Sequence, residues 1–355
     1  MTSYVTATVY MFENILLGLL LTFATSWFAI RFARRVGLLD IPGRASHKLH
    51  QFPIPLAGGM AFVLAMSILV FVLDLWRGLE VSVILLAALL VFVLGLVDDA
   101  RSLKPLLKLA GQSVAALILI LAGVYIQIFE TTSFFFSGSS SFFFWLDRIL
   151  TVVWIVGITN AFNLVDSMDG LAVGLSGWAF AFFMLATYDS LQLSLSALSA
   201  LFLGGCLALY YYNRSPARLF LGDSGAQTLG FLLAAIAIQY APLEKVQNSS
   251  WFVPILLLWI PIFDTSLVFI SRLRRGKPFY QANRDHTYHR LVAMGLEPGR
   301  AVLLMHLTGL VLECLAFVAV SMEPLGANLI FGGCMAAGLA ALLFLDHPKR
   351  WLLFP

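Results

Sequence analysis

Charge is scarce in this chain: Asp, Glu, Lys and Arg make up 12% of its residues, against 60% hydrophobic ones and a mean hydropathy of +0.91. Such a composition excludes an ordinary soluble domain built round one core. Cysteine is almost missing. Cys206, Cys314 and Cys334 lie in apolar windows without CxxC spacing, which argues against a disulfide framework or a Cys-based zinc site and leaves them as small packing residues. No Lys or Arg precedes Arg31, so the first apolar run lacks the basic start of a cleaved signal peptide and is expected to be retained. No soluble domain, low-complexity tract or clear internal repeat is evident, and residues 1–355 read as a single integral membrane domain.

What the chain has in abundance is windows of roughly 20 apolar residues, the length that crosses a bilayer as a helix. About eleven are expected, with ten as the lower count: near 9–30, 55–74, 81–97, 106–128, 146–165, 171–188, 191–212, 225–241, 251–271, 300–321 and 326–345. The runs are long and lack barrel alternation, and backbone polar groups in hydrocarbon must be bonded internally, so the fold class is all-α, a polytopic membrane helix bundle. Alternating the loops across those spans puts 19 Lys and Arg on one side and only Arg77, Arg148 and Lys245 on the other. The basic side is the cytoplasmic one, with the N-terminus outside.

Nearly every interesting polar residue falls on that inner side. In "TNAFNLVDSMDGLAVG", Asn160, Asn163, Asp166 and Asp169 recur every third position, neighbours on one helix face, at the end of an apolar run. A helix end explains one acid; two acids and two amides at a membrane border point to a task. "GLVDDARSLKPLLK" sets Asp98 and Asp99 at the close of one span and Lys108 at the start of the next; neighbouring carboxylates separate their proton affinities, so one can stay ionised while the other takes a proton. "LFLGDSGAQTLG" puts Asp223 among glycines before an apolar helix, suited to a phosphate or metal-phosphate complex but equally to a plain N-cap. Upstream of it, Asn213 ends a span and Phe220 offers a flat face for a base.

The last inner loop, "RLRRGKPFYQANRDHTYHRL", gathers Arg284, His286 and His289 with further cations. The basic residues alone would suit anionic lipid headgroups, but the acid and histidines would not, and two ligands without a third favour phosphate contact over zinc. "DIPGRASHKLHQFPIPLAGG" adds Lys48 and His50, beside an Arg44 that is as well explained by topology. Acids for a hard cation, cations for phosphates and an aromatic shelf together suit phosphoryl transfer from a nucleotide at a membrane surface. A secondary transporter is the rival from another class; its ionisable residues would sit near the midplane of repeated halves.

In order and wording these motifs, with "PIFDT" as a further piece, resemble the polyprenyl-phosphate N-acetylhexosamine-1-phosphate transferase family between about residues 38 and 300. The closer likeness is to the branch acting on GlcNAc-1-phosphate for O-antigen, teichoic acid or other envelope glycans. The resemblance implies a bacterial plasma-membrane enzyme that takes a UDP-sugar donor and a polyprenyl phosphate acceptor and yields lipid-diphosphate sugar and UMP. Mg²⁺, with Mn²⁺ as a substitute, is the implied cofactor. It implies metal ligation by Asp223, with Asp99 as a second ligand, and a lipid-phosphate role for Asp98. Lys108, Asp166 and His286 match further active-site positions. Asn213, Phe220 and Asp169 match uridine recognition, Arg284, His286 and His289 the donor diphosphate or sugar, and Lys48, His50 and Asn163 further substrate contacts. No nucleic-acid partner is expected, and a homodimer is allowed for. Ser167 stands where the family often has Gly, and Tyr288 interrupts its HxHH pattern, which leaves UDP-MurNAc-pentapeptide or another UDP-N-acetylated deoxysugar open as donor.

Overall fold

A computed structural model describes residues 2–42, 52–130, 141–241, 251–277 and 285–348. They form two compact units, Met1–Asp40 with Pro53–Gln247, and Ile41–Phe52 with Asn248–Pro355. The described residues are overwhelmingly helical, and the chain is an all-α polytopic membrane protein.

The first unit holds α1 (Thr2–Val36), α2 (Gly58–Val72), α3 (Leu79–Arg101), α4 (Pro105–Leu121), α5 (Ser141–Val165), α6 (Leu171–Asp189), α7 (Leu193–Asn213) and α8 (Gly222–Gln239). Its exterior is apolar: Leu86, Leu89, Val93 and Val97 of α3 and Ile149 and Val153 of α5 are exposed, while Asp98, Gln112, Asn213 and Gln227 are buried. That inversion of the usual rule is what lipid as a solvent selects. At the centre lies α8, against which α2, α3, α5 and α6 pack. From Ser224 to Ala237 its side chains are buried throughout, and its Gly, Ala and Ser content lets neighbouring backbones close in. The approach is equally close at Gly59 of α2 and Gly95 of α3, where an added Cβ would lie 2.5 Å from the N of Gly225 and 2.5 Å from the Cα of Ser224 respectively.

Two short strands, β1 (Leu39–Asp40) and β2 (Ile54–Pro55), pair antiparallel, and the chain after β2 is strapped to the segment before α8. The N–H of Phe220 donates to the carbonyl of Pro55 at 2.9 Å, and the Phe220 carbonyl accepts from Ala57 and Gly58 at 3.2 and 3.0 Å. This strap fixes the entry into α8.

The second unit contains α9 (Val253–Leu257), α10 (Trp259–Arg274), α11 (Thr287–Ala293), α12 (Pro298–Val320) and α13 (Pro324–Leu345). The expected span over 251–271 is interrupted at Leu258, three residues before Pro261, which has no N–H for the carbonyl one turn back. Ion pairs on two buried acids gather its polar end: Asp285 meets Arg272 at 3.1 Å and Arg275 at 2.8 Å, and Asp346 meets the exposed Arg274 at 2.8 Å and Arg290 at 3.2 Å. Burial opposes the charge on Asp285, yet Arg275 and Arg272 hold its carboxyl below the usual carboxylate range.

Seven helices among the described residues have the length and composition to cross a membrane. The other four expected windows correspond to α2 with 15 residues, α4 with 17, α8 with a polar first turn, and the interrupted α9–α10 pair.

Candidate active site

Five helix ends of the first unit converge, and each brings polar residues. The end of α3 gives Asp98 and Asp99, the start of α4 gives Lys108, the end of α5 gives Asn163 and then Asp166, the end of α7 gives Asn213, and the start of α8 gives Asp223. Lys108 Nζ lies between two acids, pairing with Asp98 Oδ2 and with Asp223 Oδ2, the latter at 2.6 Å. The other oxygen of Asp223 accepts from Asn163 Nδ2 at 2.9 Å. Asp98 also accepts the Leu103 N–H at 2.6 Å, so it closes α3 and fixes the turn into α4 that presents Lys108.

Asp99 is spoken for. Its Oδ1 accepts the Asp223 N–H at 2.7 Å, and its Oδ2 accepts the N–H and hydroxyl of Ser224 at 3.1 and 2.7 Å. One carboxylate thus satisfies two of the open N–H groups of the first turn of α8 from another helix. Gly222, at φ +71°, is required there twice over, since a side chain would also run into the Asp99 carboxylate 2.5 Å away.

The carboxylate of Asp166 makes no hydrogen bond among the described residues, although its N–H donates to the Phe162 carbonyl at 3.2 Å. Desolvation, followed by the negative charges of Asp223, Asp99 and Asp169, pushes its carboxyl well above the usual range. Asp169 accepts the Ala217 N–H at 3.0 Å, and Asn213 bridges loops, its Oδ1 accepting from Gly170 N–H at 3.0 Å and its Nδ2 donating to the Leu219 carbonyl at 2.9 Å. Both therefore hold the segment that carries Phe220, whose side chain is half-buried.

One helical turn deeper lies a layer that the sequence reading passed over. Gln112 donates to Gln227 Oε1 at 2.9 Å and accepts from Asn160 at 2.6 Å. Gln112 stands four residues after Lys108 and Gln227 four after Asp223, so the helical period applied to the site residues themselves was the signal. His286 and His289 belong to the second unit, where His286 Nδ1 faces Asp264 Oδ2 at 2.8 Å. Lys48, His50, Arg284 and Arg44 lie outside the described residues.

Four carboxylates in one cluster, with a single lysine among them, retain excess negative charge. The donors are all hard oxygens, which fits a cation such as Mg²⁺ in chemistry. No group of three or more His, Cys, Asp or Glu among the described residues is gathered as a metal cage, and Lys108 Nζ occupies the position between Asp98 and Asp223.

The profile of glycosyl transferase family 4 matches residues 81–241, a range that contains every acid of this cluster. A Bacillus subtilis protein, named a probable undecaprenyl-phosphate N-acetylglucosaminyl 1-phosphate transferase, is 31% identical over 291 residues, 81% of this chain and 79% of its own. The chain belongs to glycosyl transferase family 4. Within that family, a decaprenyl-phosphate N-acetylglucosaminephosphotransferase of Mycobacterium tuberculosis is 29% identical over 343 residues, 88% of this chain and 83% of its own. A phospho-N-acetylmuramoyl-pentapeptide-transferase of Heliobacterium modesticaldum is 34% identical over a shorter stretch of 198 residues, 52% of this chain and 60% of its own.

Proposed function

We propose that this family 4 transferase moves GlcNAc-1-phosphate from UDP-GlcNAc to undecaprenyl phosphate, releasing UMP and giving the lipid-diphosphate sugar that starts an envelope glycan. The observation that carries the reading is the meeting of Asp98, Asp99, Asp166 and Asp223 with Lys108 at one end of the bundle. GlcNAc as donor sugar is supported by coverage: the relatives named for it align over 81% and 88% of this chain, two pentapeptide transferases over 52% and 72%. The proposal includes about eleven spans, counting α9–α10 as one, with the N-terminus outside and the site at the cytoplasmic face of a bacterial plasma membrane, supported by the 19-to-3 division of basic residues.

An oxygen of the lipid phosphate attacks the β-phosphorus of the donor, the bond from that phosphorus to the bridging oxygen breaks, and UMP departs with the electron pair. Lys108, fixed between two carboxylates, offers its ammonium to phosphate oxygens that gain charge. Asp98, held against it, orients the acceptor phosphate. Asp223 would hold Mg²⁺, and Asp166, whose oxygens make no hydrogen bond among the described residues, is better placed to join it than Asp99, whose oxygens hold α8. The ion would supply charge neutralisation of the diphosphate. Asp169 and Asn213 set the loop from which Phe220 stacks on uracil.

The test is to incubate the purified protein with undecaprenyl phosphate, Mg²⁺ and each UDP-sugar in turn, and to measure UMP by chromatography. UMP from UDP-GlcNAc is expected. Silence with every donor, together with solute uptake into proteoliposomes, would establish the transporter instead.

A further inference from the structure

Down one face of α1, Leu20, Phe23, Trp27, Arg31 and Arg34 recur at spacings of three and four, so apolar, aromatic and cationic side chains follow one another along a single stripe. All five are exposed. Helix α7 runs alongside in the same direction, because the contacts climb both helices together: the Ser196 hydroxyl donates to Met11 Sδ at 3.3 Å, and further on the Phe23 ring is centred 5.4 Å from Tyr211 and 5.1 Å from Tyr212. The two helix ends therefore share one level. There Arg34 and Arg35 close the last turn of α1, Arg214 caps α7, and Arg218 returns as its N–H donates to the Tyr212 carbonyl at 2.8 Å. None of these arginines meets an acid among the described residues. Asp169 reaches the same segment at the Ala217 N–H and pairs with neither Arg214 nor Arg218.

Two plainer accounts cover part of this, since positive charge at an inner helix end sets topology and complements the helix dipole. Neither calls for a fixed geometry. Yet the guanidinium carbon of Arg31 stands 3.3 Å from the centre of the Trp27 ring, and that of Arg214 stands 5.6 Å from the centre of the Tyr211 ring. An aromatic face under a guanidinium sets its plane and leaves its N–H edge for an anion. Arg31 spends one N–H on the Trp27 carbonyl at 3.4 Å, and its other donors remain for a ligand. A soluble anion would use the arginines alone; only a lipid, with chain and head together, uses the whole stripe.

We propose that this end of α1 and α7 is a binding surface for an anionic diacyl phospholipid, its phosphate held by Arg31, Arg34 and Arg214 and its acyl chains laid along Leu20 and Phe23. The surface goes beyond the transfer reading. There the acceptor's phosphate is assigned to Lys108, which leaves this stripe to a lipid that the reaction does not consume.

The experiment titrates the full-length protein in a non-ionic detergent with phosphatidylglycerol, phosphatidylcholine of the same chains, undecaprenyl phosphate and inorganic phosphate, and counts bound lipid by native mass spectrometry. Wild type should retain phosphatidylglycerol and lose phosphatidylcholine. Arg31→Gln/Arg214→Gln should weaken phosphatidylglycerol binding about 30-fold, roughly fivefold for each cation removed near a membrane surface. Arg101→Gln/Lys104→Gln removes two exposed cations at the turn between α3 and α4 and should leave that binding unchanged. Arg31→Lys/Arg214→Lys keeps charge and topology but loses the planar fork; it should bind between wild type and the glutamine pair, and it decides the matter if the glutamine pair does not fold. Binding equal to wild type in either pair, equal retention of phosphatidylcholine, displacement of phosphatidylglycerol by inorganic phosphate at the same concentration, or retention of undecaprenyl phosphate alone would each overturn the proposal. No step requires transfer, so silence with every UDP-sugar would end the transfer reading and leave this surface standing.

Discussion

Replacing Gly95 with Ala should separate catalysis from folding. The added methyl carbon would lie 2.5 Å from the Cα and 2.7 Å from the N of Ser224, both backbone atoms that cannot rotate away. Ordinary carbon contacts begin near about 3.5 Å, so α3 and the start of α8 must part by roughly 1 Å. The three bonds from Asp99 to Asp223 and Ser224, now 2.7 to 3.1 Å, cross that same contact and would stretch towards the limit of hydrogen bonding. Overpacking of this kind costs about 1–3 kcal/mol of stability. Displacing Asp223 by ~1 Å costs far more in rate, on the order of 100-fold. UMP release and thermal unfolding in detergent should be measured together, with Gly157→Ala as control, because nothing lies within 4 Å of a Cβ there. The expected result is a folded Gly95→Ala protein with kcat about 100-fold down beside an active Gly157→Ala. A Gly95→Ala enzyme within about twofold of wild type would refute the claim that Asp99 and α8 hold the reacting geometry.

Asp223→Asn should abolish transfer while leaving the protein folded, and chelation by EDTA should do the same to wild type until Mg²⁺ is returned; UMP release untouched by EDTA would remove the metal from the scheme. Gln112→Leu strands Asn160 and Gln227 in the buried second layer and should cost about 1–3 kcal/mol in thermal unfolding, and an unchanged melting curve would show that the layer is not structural. For Asp285 the folded carboxyl lies below its unfolded value near 3.9, so its contribution is full above that pH and is lost as pH falls through the folded value. Melting curves should therefore show the gap between wild type and Asp285→Asn closing below about pH 4, and a gap that stays constant would contradict the pairing with Arg272 and Arg275.

How far the site was legible differs residue by residue. Long apolar windows disclosed the helices because a bilayer sets their length, and α9–α10 departs from its window only at the break before Pro261. The row Asn160, Asn163, Asp166 and Asp169 was visible from its spacing, but spacing suggested one shared task and the structure gives four. Asn160 turns to Gln112, Asn163 to Asp223, the Asp166 carboxylate has no hydrogen bond among the described residues, and Asp169 ties down Ala217. Helix α5 ends at Val165, so the last two acids leave the helical face on which the first two lie. Asp99 was equally visible as an acid, yet its use depends on where the first turn of α8 falls, 124 residues later. Asp264 was visible within "PIFDT", but nothing there pointed to its partner 22 residues on.

The arrangement also explains how a lipid-embedded chain tolerates so many acids. Each carboxylate of the first unit's cluster stands at a helix end rather than mid-span, where it can take up backbone N–H groups that the helix cannot: Leu103 for Asp98, and Asp223 and Ser224 for Asp99. Two acids thereby gain local donors, and Lys108 pairs with Asp223, which leaves the Asp166 carboxylate without a donor among the described residues and with its charge opposed by its surroundings. A second cation entering beside Asp223 would relieve that opposition, and a substrate diphosphate would bring it in as a matched charge. Fold and the proposed reaction then depend on the same electrostatics: the lysine ties α4 to α3 and α8 through Asp98 and Asp223, and a cation beside Asp223 would let Asp166 ionise.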